Sequence, residues 1–406
     1  MTQPMTSMTR RRFLQGVGVA PIAGVLSVDG SAQTAASAGV YERLGVRPLI
    51  NAAGTYTALS ASLLPREVAA AMDEASRQFV SIPELQAAAG RRIASLLGAE
   101  AALVTSGCAA ALTLATAACV AGADPDTIRR LPDTSGMKNE VLVQKAHRFG
   151  YDRAIRNVGV TLVEVQTREQ LQAAIGERTA LLFFLNNAND LGEIAREEFA
   201  GIAKTAGVPS LVDAAADVPP VGNLRAFTDM GYDLAAFSGG KGLRGPQCSG
   251  LLVGRRDLVD AAFLNGSPHS DTIGRIAKVG KEEIVGLTRA LELYLERDHQ
   301  AEWDDWEFQV REIAAALESI PTVRTERFVP AIANETPHLA ITWDPRSLRL
   351  SRADVIRELR DGDPRIEVRP GPATEPRLEI GVWMMQPGEH RVVAKRCSDI
   401  FKDASA

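Results

Sequence analysis

From residue 65 onward the chain alternates short, unbroken apolar runs with longer segments whose apolar positions recur at helical spacing. The runs are 101–105 (AALVT), 140–144 (EVLVQ), 160–165 (VTLVEV), 180–185 (ALLFFL), 209–213 (PSLVD), 233–237 (DLAAF) and 250–254 (GLLVG). Each has strand length. None alternates cleanly between apolar and polar, which is the pattern of strands covered on both faces. Helical segments lie between several of them. One starts at Pro65, a residue suited to a first turn. A second covers 83–97 (PELQAAAGRRIASLL), and an alanine-rich third opens at Ser106 and Gly107 and runs to about Ala121. Residues 122–139 are polar and carry Gly and Pro, so they predict a loop. This order predicts a mostly parallel, doubly wound α/β sheet, with ligands bound at the C-terminal ends of its strands.

Beyond residue 280 the rhythm changes. Residues 281–320 read as one long helix or two, linking to strands at 337–343, 366–370 and 377–382 and helices at 351–360 and 388–401. The expected organisation is an N-terminal arm (39–64), a large domain (65–280), linking helices (281–320) and a small C-terminal α+β domain (321–406). Residues 1–38 stand apart. Residues 9–15 (TRRRFLQ) resemble the twin-arginine export signal, a weakly apolar stretch follows at 16–26, and Ala36, Ser37 and Ala38 form a small-residue cleavage site. A periplasmic location is therefore expected. That route carries folded proteins, often with a cofactor already in place.

Composition narrows the function classes. A formal net charge of −5 gives no basic footprint for nucleic acid. Outside the leader no apolar run reaches membrane-spanning length. The four cysteines, Cys108, Cys119, Cys248 and Cys397, form no C-x-x-C pair, and free buried thiols are the expectation. The five histidines fall in no metal-binding spacing, so no metal is expected.

Three strand ends carry candidate chemistry. Thr105, Ser106, Gly107 and Cys108 open a helix, whose N-terminal N–H groups and dipole suit a phosphate; a simple N-cap is the plainer reading. Asp213 ends an apolar strand, where a carboxylate needs a positive or donating partner. The alanines after it leave room for a flat group, although a cap or salt bridge would also satisfy it. Lys241 follows Ser238, Gly239 and Gly240 (FSGGKGLRGPQCSG, 237–250). An amine in a partly desolvated pocket becomes a nucleophile. A glycine-rich turn with an exposed lysine is the bland alternative. A P-loop is not, because Gly242 stands where Ser or Thr is required. Asp213 and Lys241 lie 28 residues apart, one crossover and one strand. Taken together, a phosphate site, a carboxylate for a ring nitrogen and a lysine for an aldehyde describe one ligand, pyridoxal 5′-phosphate (PLP).

The segments 41–57 (YERLGVRPLINAAGTYT), 103–112 (LVTSGCAAAL), 211–220 (LVDAAADVPP), 236–254 (AFSGGKGLRGPQCSGLLVG) and 278–287 (KVGKEEIVGL) resemble fold-type-I PLP enzymes. The branch they resemble holds selenocysteine synthase and D-glucosaminate-6-phosphate ammonia-lyase. The resemblance spans about 41–400. It implies the fold-type-I PLP transferase architecture and makes Lys241 the residue that bonds to the cofactor aldehyde and later moves the Cα proton. It pairs Asp213 with the pyridine nitrogen and gives the phosphate to Ser106, Gly107, Cys108 and Ser238, beside Thr105. His147 is expected to stack on one ring face and Ala215 to pack on the other. Asn186, with Asn189 near it, is expected to reach the phenolic oxygen. Arg377 and Arg369 are candidates for the substrate carboxylate, and residues 266–269 for reaching a neighbouring subunit.

Selenocysteine synthesis fits poorly, because it uses a charged tRNA in the cytoplasm. The expected activity is a PLP-dependent lyase acting on an amino acid or amino sugar acid, in a homodimer or larger homo-oligomer. Racemase and aminotransferase are the chemical alternatives. A PLP-fold protein that binds without turnover is the alternative of another class.

Overall fold

The computed structural model describes residues 39–369, 371 and 376–405. The expected export segment lies outside them. The first strand, β1 (Leu49–Ala52), is followed by the seven strands of the main sheet: β2 (Ala101–Thr105), β3 (Glu140–Gln144), β4 (Thr161–Val165), β5 (Thr179–Leu185), β6 (Ser210–Asp213), β7 (Leu234–Ser238) and β8 (Gly250–Gly254). Their spatial order is β2-β8-β7-β6-β5-β3-β4. Every neighbouring pair is parallel except the two made by β8, which runs antiparallel to β2 and β7.

The unbroken apolar runs follow from what each face touches. Successive side chains of a strand point to opposite faces. Val104, Leu142, Leu182, Phe184, Val212, Ala235 and Val253 enter one core, and Leu103, Val141, Val143, Phe183, Leu211, Leu234 and Leu252 enter the other. Both faces are covered, so both residue sets must be apolar. The polar residues Gln144, Asn186, Asp213 and Ser238 come where the strands end, and those ends form the site.

A third core holds Ile50, Ala52, Trp306, Ile313, Leu339, Ile341, Trp343, Ile366 and Ile380. It packs beneath the antiparallel sheet β12-β10-β9, made of β9 (Arg324–Phe328), β10 (His338–Thr342) and β12 (Arg377–Gly381), and beside the parallel pair of β1 with β11 (Arg365–Val368). The 281–320 segment is two helices, Lys281–Glu296 and His299–Ala315. The second is capped by Asp298, whose carboxylate accepts from the Gln300 and Ala301 amides.

Three local expectations change. The loop expected at 122–139 contains the helix Pro125–Arg130, started by Asp124, whose carboxylate accepts from the Thr127 amide at 2.8 Å. Strand β9 was not expected: its sequence, RTERF, lies largely toward solvent and shows no apolar run. Strand β1 is the other addition. It lies in the segment expected as an arm, and it pairs Leu49 with Arg365 and Ala52 with Val368.

Candidate active site

The ends of β2, β5, β6 and β7 bring the candidate residues together. Thr105 is buried, and its hydroxyl donates to the Gly107 carbonyl at 2.9 Å, fixing the entry to the helix Gly107–Ala121. Ser106 is the N-cap residue by position, but its side chain makes no capping hydrogen bond. The hydroxyl is thus not spent on the helix. The helix start lies directly over β8: a Cβ on Gly250 would sit 2.3 Å from the Gly107 carbonyl carbon. Glycine at 250 is what lets the phosphate-type helix terminus approach the strand end.

Asp213 is 5% exposed at the end of β6. Its Oδ1 accepts from the Ala215 amide at 2.9 Å and faces the Cys108 thiol at 3.7 Å. No hydrogen bond among the described residues reaches its Oδ2. Burial pushes its carboxyl above the usual carboxylate range, while the Ala215 amide, Lys241 and Cys108 draw it back. Oδ2 is therefore open to a donor supplied by a ligand. Burial and the nearby Asp213 likewise hold the Cys108 thiol protonated. The side chain of Cys108 serves Asp213, which leaves only its backbone to face a phosphate.

Lys241 is half-buried in the turn after β7. That turn is closed by Arg244 donating to the Lys241 carbonyl at 2.9 Å and by the Gly245 amide donating to Gly239 at 2.8 Å. It is tied to the N-terminal segment by Ser62, whose hydroxyl donates to the Gly240 carbonyl at 2.7 Å, and by Gln247, whose amide donates to the Thr57 carbonyl at 2.9 Å. A Cβ on Gly242 would stand 2.0 Å from the Val218 carbonyl oxygen. The glycines beside the lysine thus let the chain after Asp213 lie against it.

His147 lies at the end of β3 but is fully enclosed. Its Nδ1 accepts from the Leu185 amide at 3.3 Å, its Nε2 lies 3.3 Å from the Gln144 amide, and its ring stands edge-on to Phe184 with centroids 4.4 Å apart. Burial lowers its pKa to about 4, so the ring is neutral. The stacking role expected of it requires this packing to open. Asn186 is buried with both ends engaged: Nδ2 donates to Asp217 Oδ1 at 2.8 Å, and Oδ1 accepts from Arg196 at 3.1 Å. Asn189 is turned to Asp190 and the Arg196 amide. Ala215 and Ser238 are half-buried at the ends of β6 and β7.

Arg369 and Arg377 sit on the small sheet, not free: both face Glu379, at 3.6 and 3.3 Å, and Arg377 also meets Glu326 at 3.5 Å. Among the described residues no hydrogen bond or ion pair joins either to Lys241, Asp213 or Asn186. Three residues not singled out from sequence do join the constellation. Asp217 is 1% exposed and senses both Asp213 and Lys241. Arg196 holds Asn186 from the following helix. Arg244, in the lysine turn, donates to the Trp383 carbonyl at 3.3 Å and meets Glu302 at 3.6 Å. Asp217 had a signal, since it stands four residues after Asp213 inside an otherwise apolar segment.

Residues 49–305 match the family model for SelA, L-seryl-tRNA selenium transferase. The chain belongs to that family. A Streptomyces 5′-C-glycyluridine monooxygenase-decarboxylase is 31% identical over 89% of this chain and 92% of its own. D-glucosaminate-6-phosphate ammonia lyase of Salmonella typhimurium is 30% identical over 90% of this chain and 99% of its own. A solved D-glucosaminate-6-phosphate ammonia-lyase superposes with a TM-score of 0.80 at 29% identity, covering 91% of this chain and all of that one (100%). A serine palmitoyltransferase solved with PLP shares the fold, with a TM-score of 0.56 at 15% identity. Like other members of the SelA family, this protein is a PLP-dependent enzyme of fold type I.

The residues present fit that cofactor. Asp213 lacks the donor that a protonated ring nitrogen supplies, Ser106 keeps its hydroxyl free at a fifteen-residue helix's N-terminus, and alanines flank the space. When bound, PLP supplies an electron sink for the pair left at a substrate Cα. Lys241 would hold the aldehyde, Asp213 the ring nitrogen, and the Ser106–Cys108 backbone the phosphate.

Proposed function

We propose that this protein is a lyase that removes a β-substituent and ammonia from an amino acid or amino sugar acid. The observation that carries this reading is the pairing of Lys241 with the buried, donor-seeking Asp213 at adjoining strand ends, in a chain that matches an ammonia lyase along 99% of that enzyme's length. In this reading the Lys241 amine takes the proton from the substrate Cα. Asp213 keeps the ring nitrogen protonated. Of the arginines, Arg196, which holds Asn186 at the end of β5, and Arg244, which lies in the lysine turn itself, are better placed than Arg369 and Arg377 to meet an acidic substrate group.

The test is product analysis on a panel of D- and L-amino acids and amino sugar acids. A lyase releases ammonia and a 2-oxo acid in equal amounts, without consuming oxygen. Oxygen uptake with carbon dioxide release would instead align the protein with its Streptomyces relative's named reaction. Inversion without ammonia release would make it a racemase.

The same reading places the enzyme in the periplasm, supported by the arginine run Arg10 to Arg12 before Phe13 and Leu14 and by the apolar stretch after them. Arg10→Lys with Arg11→Lys and Arg12→Lys should leave the protein in the cytoplasmic fraction. A homo-oligomer is supported by the fully exposed Phe79 and by Ile276, which is 90% exposed.

A further inference from the structure

The lyase reading assigns Lys241 and Asp213 but leaves a second buried carboxyl without a task. Asp217 closes the turn after β6, its amide donating to the Ala214 carbonyl at 3.2 Å. Its Oδ1 is occupied by the Asn186 amide at 2.8 Å, and Asn186 is in turn fixed by Arg196. No hydrogen bond among the described residues reaches Oδ2. The next residue, Val218, lies against Gly242 beside Lys241, so the backbone carrying Asp217 abuts the lysine turn. The groups acting on Asp217 are Asp213 and Glu335, which disfavour its charge, and Lys241 and Asn186, which favour it. Burial and the two acids win, and its pKa is raised to about 7. The Asn186 N–H on Oδ1 leaves the proton to Oδ2.

We propose that Asp217 is the general acid that protonates the leaving hydroxyl of a β-hydroxy amino acid or sugar acid substrate. This rests on the lyase reading and deepens it by naming the leaving group. The balance closes without oxidant or reductant. Lys241 takes the Cα proton, the pair from that C–H bond forms a Cα–Cβ double bond, the Cβ–O bond breaks toward oxygen, and the Asp217 Oδ2 proton completes a water molecule. The released product adds one water and loses ammonia, giving a 2-oxo acid. Asp217 regains its proton from the Lys241 ammonium. Hydroxide is a poor leaving group and needs this proton; chloride and sulfate do not.

The test compares the parent enzyme with Asp217→Asn on a β-hydroxy substrate and on its β-chloro or O-sulfo analogue of the same configuration. On the hydroxy compound, kcat/KM should fall at least about 100-fold, within the range for loss of a general acid. On the analogue it should fall less than about tenfold, which separates proton donation from general damage to the site. In cofactor-free protein, infrared difference spectra from pH 5 to pH 9 should show a protonated carboxyl band lost with a midpoint near 7, as the environment of Asp217 requires. The band should be missing in Asp217→Asn. Equal loss on both compounds, no loss on either, or a parent enzyme that turns over only the analogue would overturn the proposal. If no compound of either kind releases ammonia from the parent, the lyase reading itself fails.

Discussion

At the scale of single residues, the site is a set of buried groups whose charge states depend on what stands beside them. Lys241 and Asp213 were legible in the sequence because strand ends have a signature: an apolar run that stops on a polar or charged residue. Arg196 was not, and Asp217 left only the signal of an acid inside an apolar segment. Their place depends on the turn after β6 and on how the helix Arg196–Ala206 enters, and neither leaves a periodic trace. Asn186 was legible, yet its partners were not, since they come from those same segments. The buried Asp217 also predicts a pH dependence of stability. Its folded pKa, about 7, lies above the ordinary value of 3.8, so between those two the folded state binds more protons. Stability from this group is therefore fully present at low pH and is lost as pH rises through about 7. His147, lowered to about 4, acts with the opposite sign between about 4 and 6.5, so the comparison must be with a variant and not with a bare pH curve. Denaturant unfolding of cofactor-free protein at pH 5 and pH 8 should show Asp217→Asn gaining on the parent at the higher pH, by roughly 1 to 4 kcal/mol. An identical pH response would mean that Asp217 is ionised in the fold.

At the scale of elements, the helix Gly107–Ala121 and strand β8 form a unit built on one missing side chain. The helix is hydrophobic nearly all round, consistent with its burial against the sheet, and its first turn rests on Gly250. Gly250→Ala places a carbon 2.3 Å from the Gly107 backbone, so one of the two must move. The expected outcome is a helix terminus displaced from the phosphate position and PLP affinity reduced at least about tenfold, the equivalent of a charge-assisted hydrogen bond or more. Fluorescence titration of the apoenzyme with PLP reads this directly; an unchanged affinity would place the phosphate elsewhere. Element boundaries in the main sheet were legible because both faces of every strand but the edge strand β4 are largely buried. The two strands that escaped, β1 and β9, present no continuous buried run: β1 alternates half-buried with buried residues, and β9 has no buried residue. Strand β1 is set by pairing with β11, more than 300 residues away, and β9 by its antiparallel pairing with the next strand, β10.

At the scale of the whole molecule, residues 49–406 form one compact unit containing three cores. The large sheet brings β5, β6 and β7 to a common C-terminal edge. The small sheet contributes from the other end of the sequence: the Asn334 amide donates to the Ala216 carbonyl at 2.8 Å, and the Trp383 carbonyl takes Arg244. The active-site segments after β6 and β7 are thereby held by the C-terminal part of the chain. That long-range closure is what sequence periodicity could not supply, and it explains why the candidate substrate arginines chosen from the small sheet are ion-paired there while Arg244 bridges the two parts. Among the described residues no helix is long and apolar enough to cross a membrane. The account of the whole enzyme rests on PLP being held by Lys241. The most direct measurement is borohydride reduction of the purified enzyme, followed by peptide mass spectrometry. The account predicts the reduced cofactor on the peptide containing Lys241, and no labelled peptide from Lys241→Ala; label on another lysine, or an unlabelled Lys241 peptide from cofactor-saturated enzyme, would contradict it.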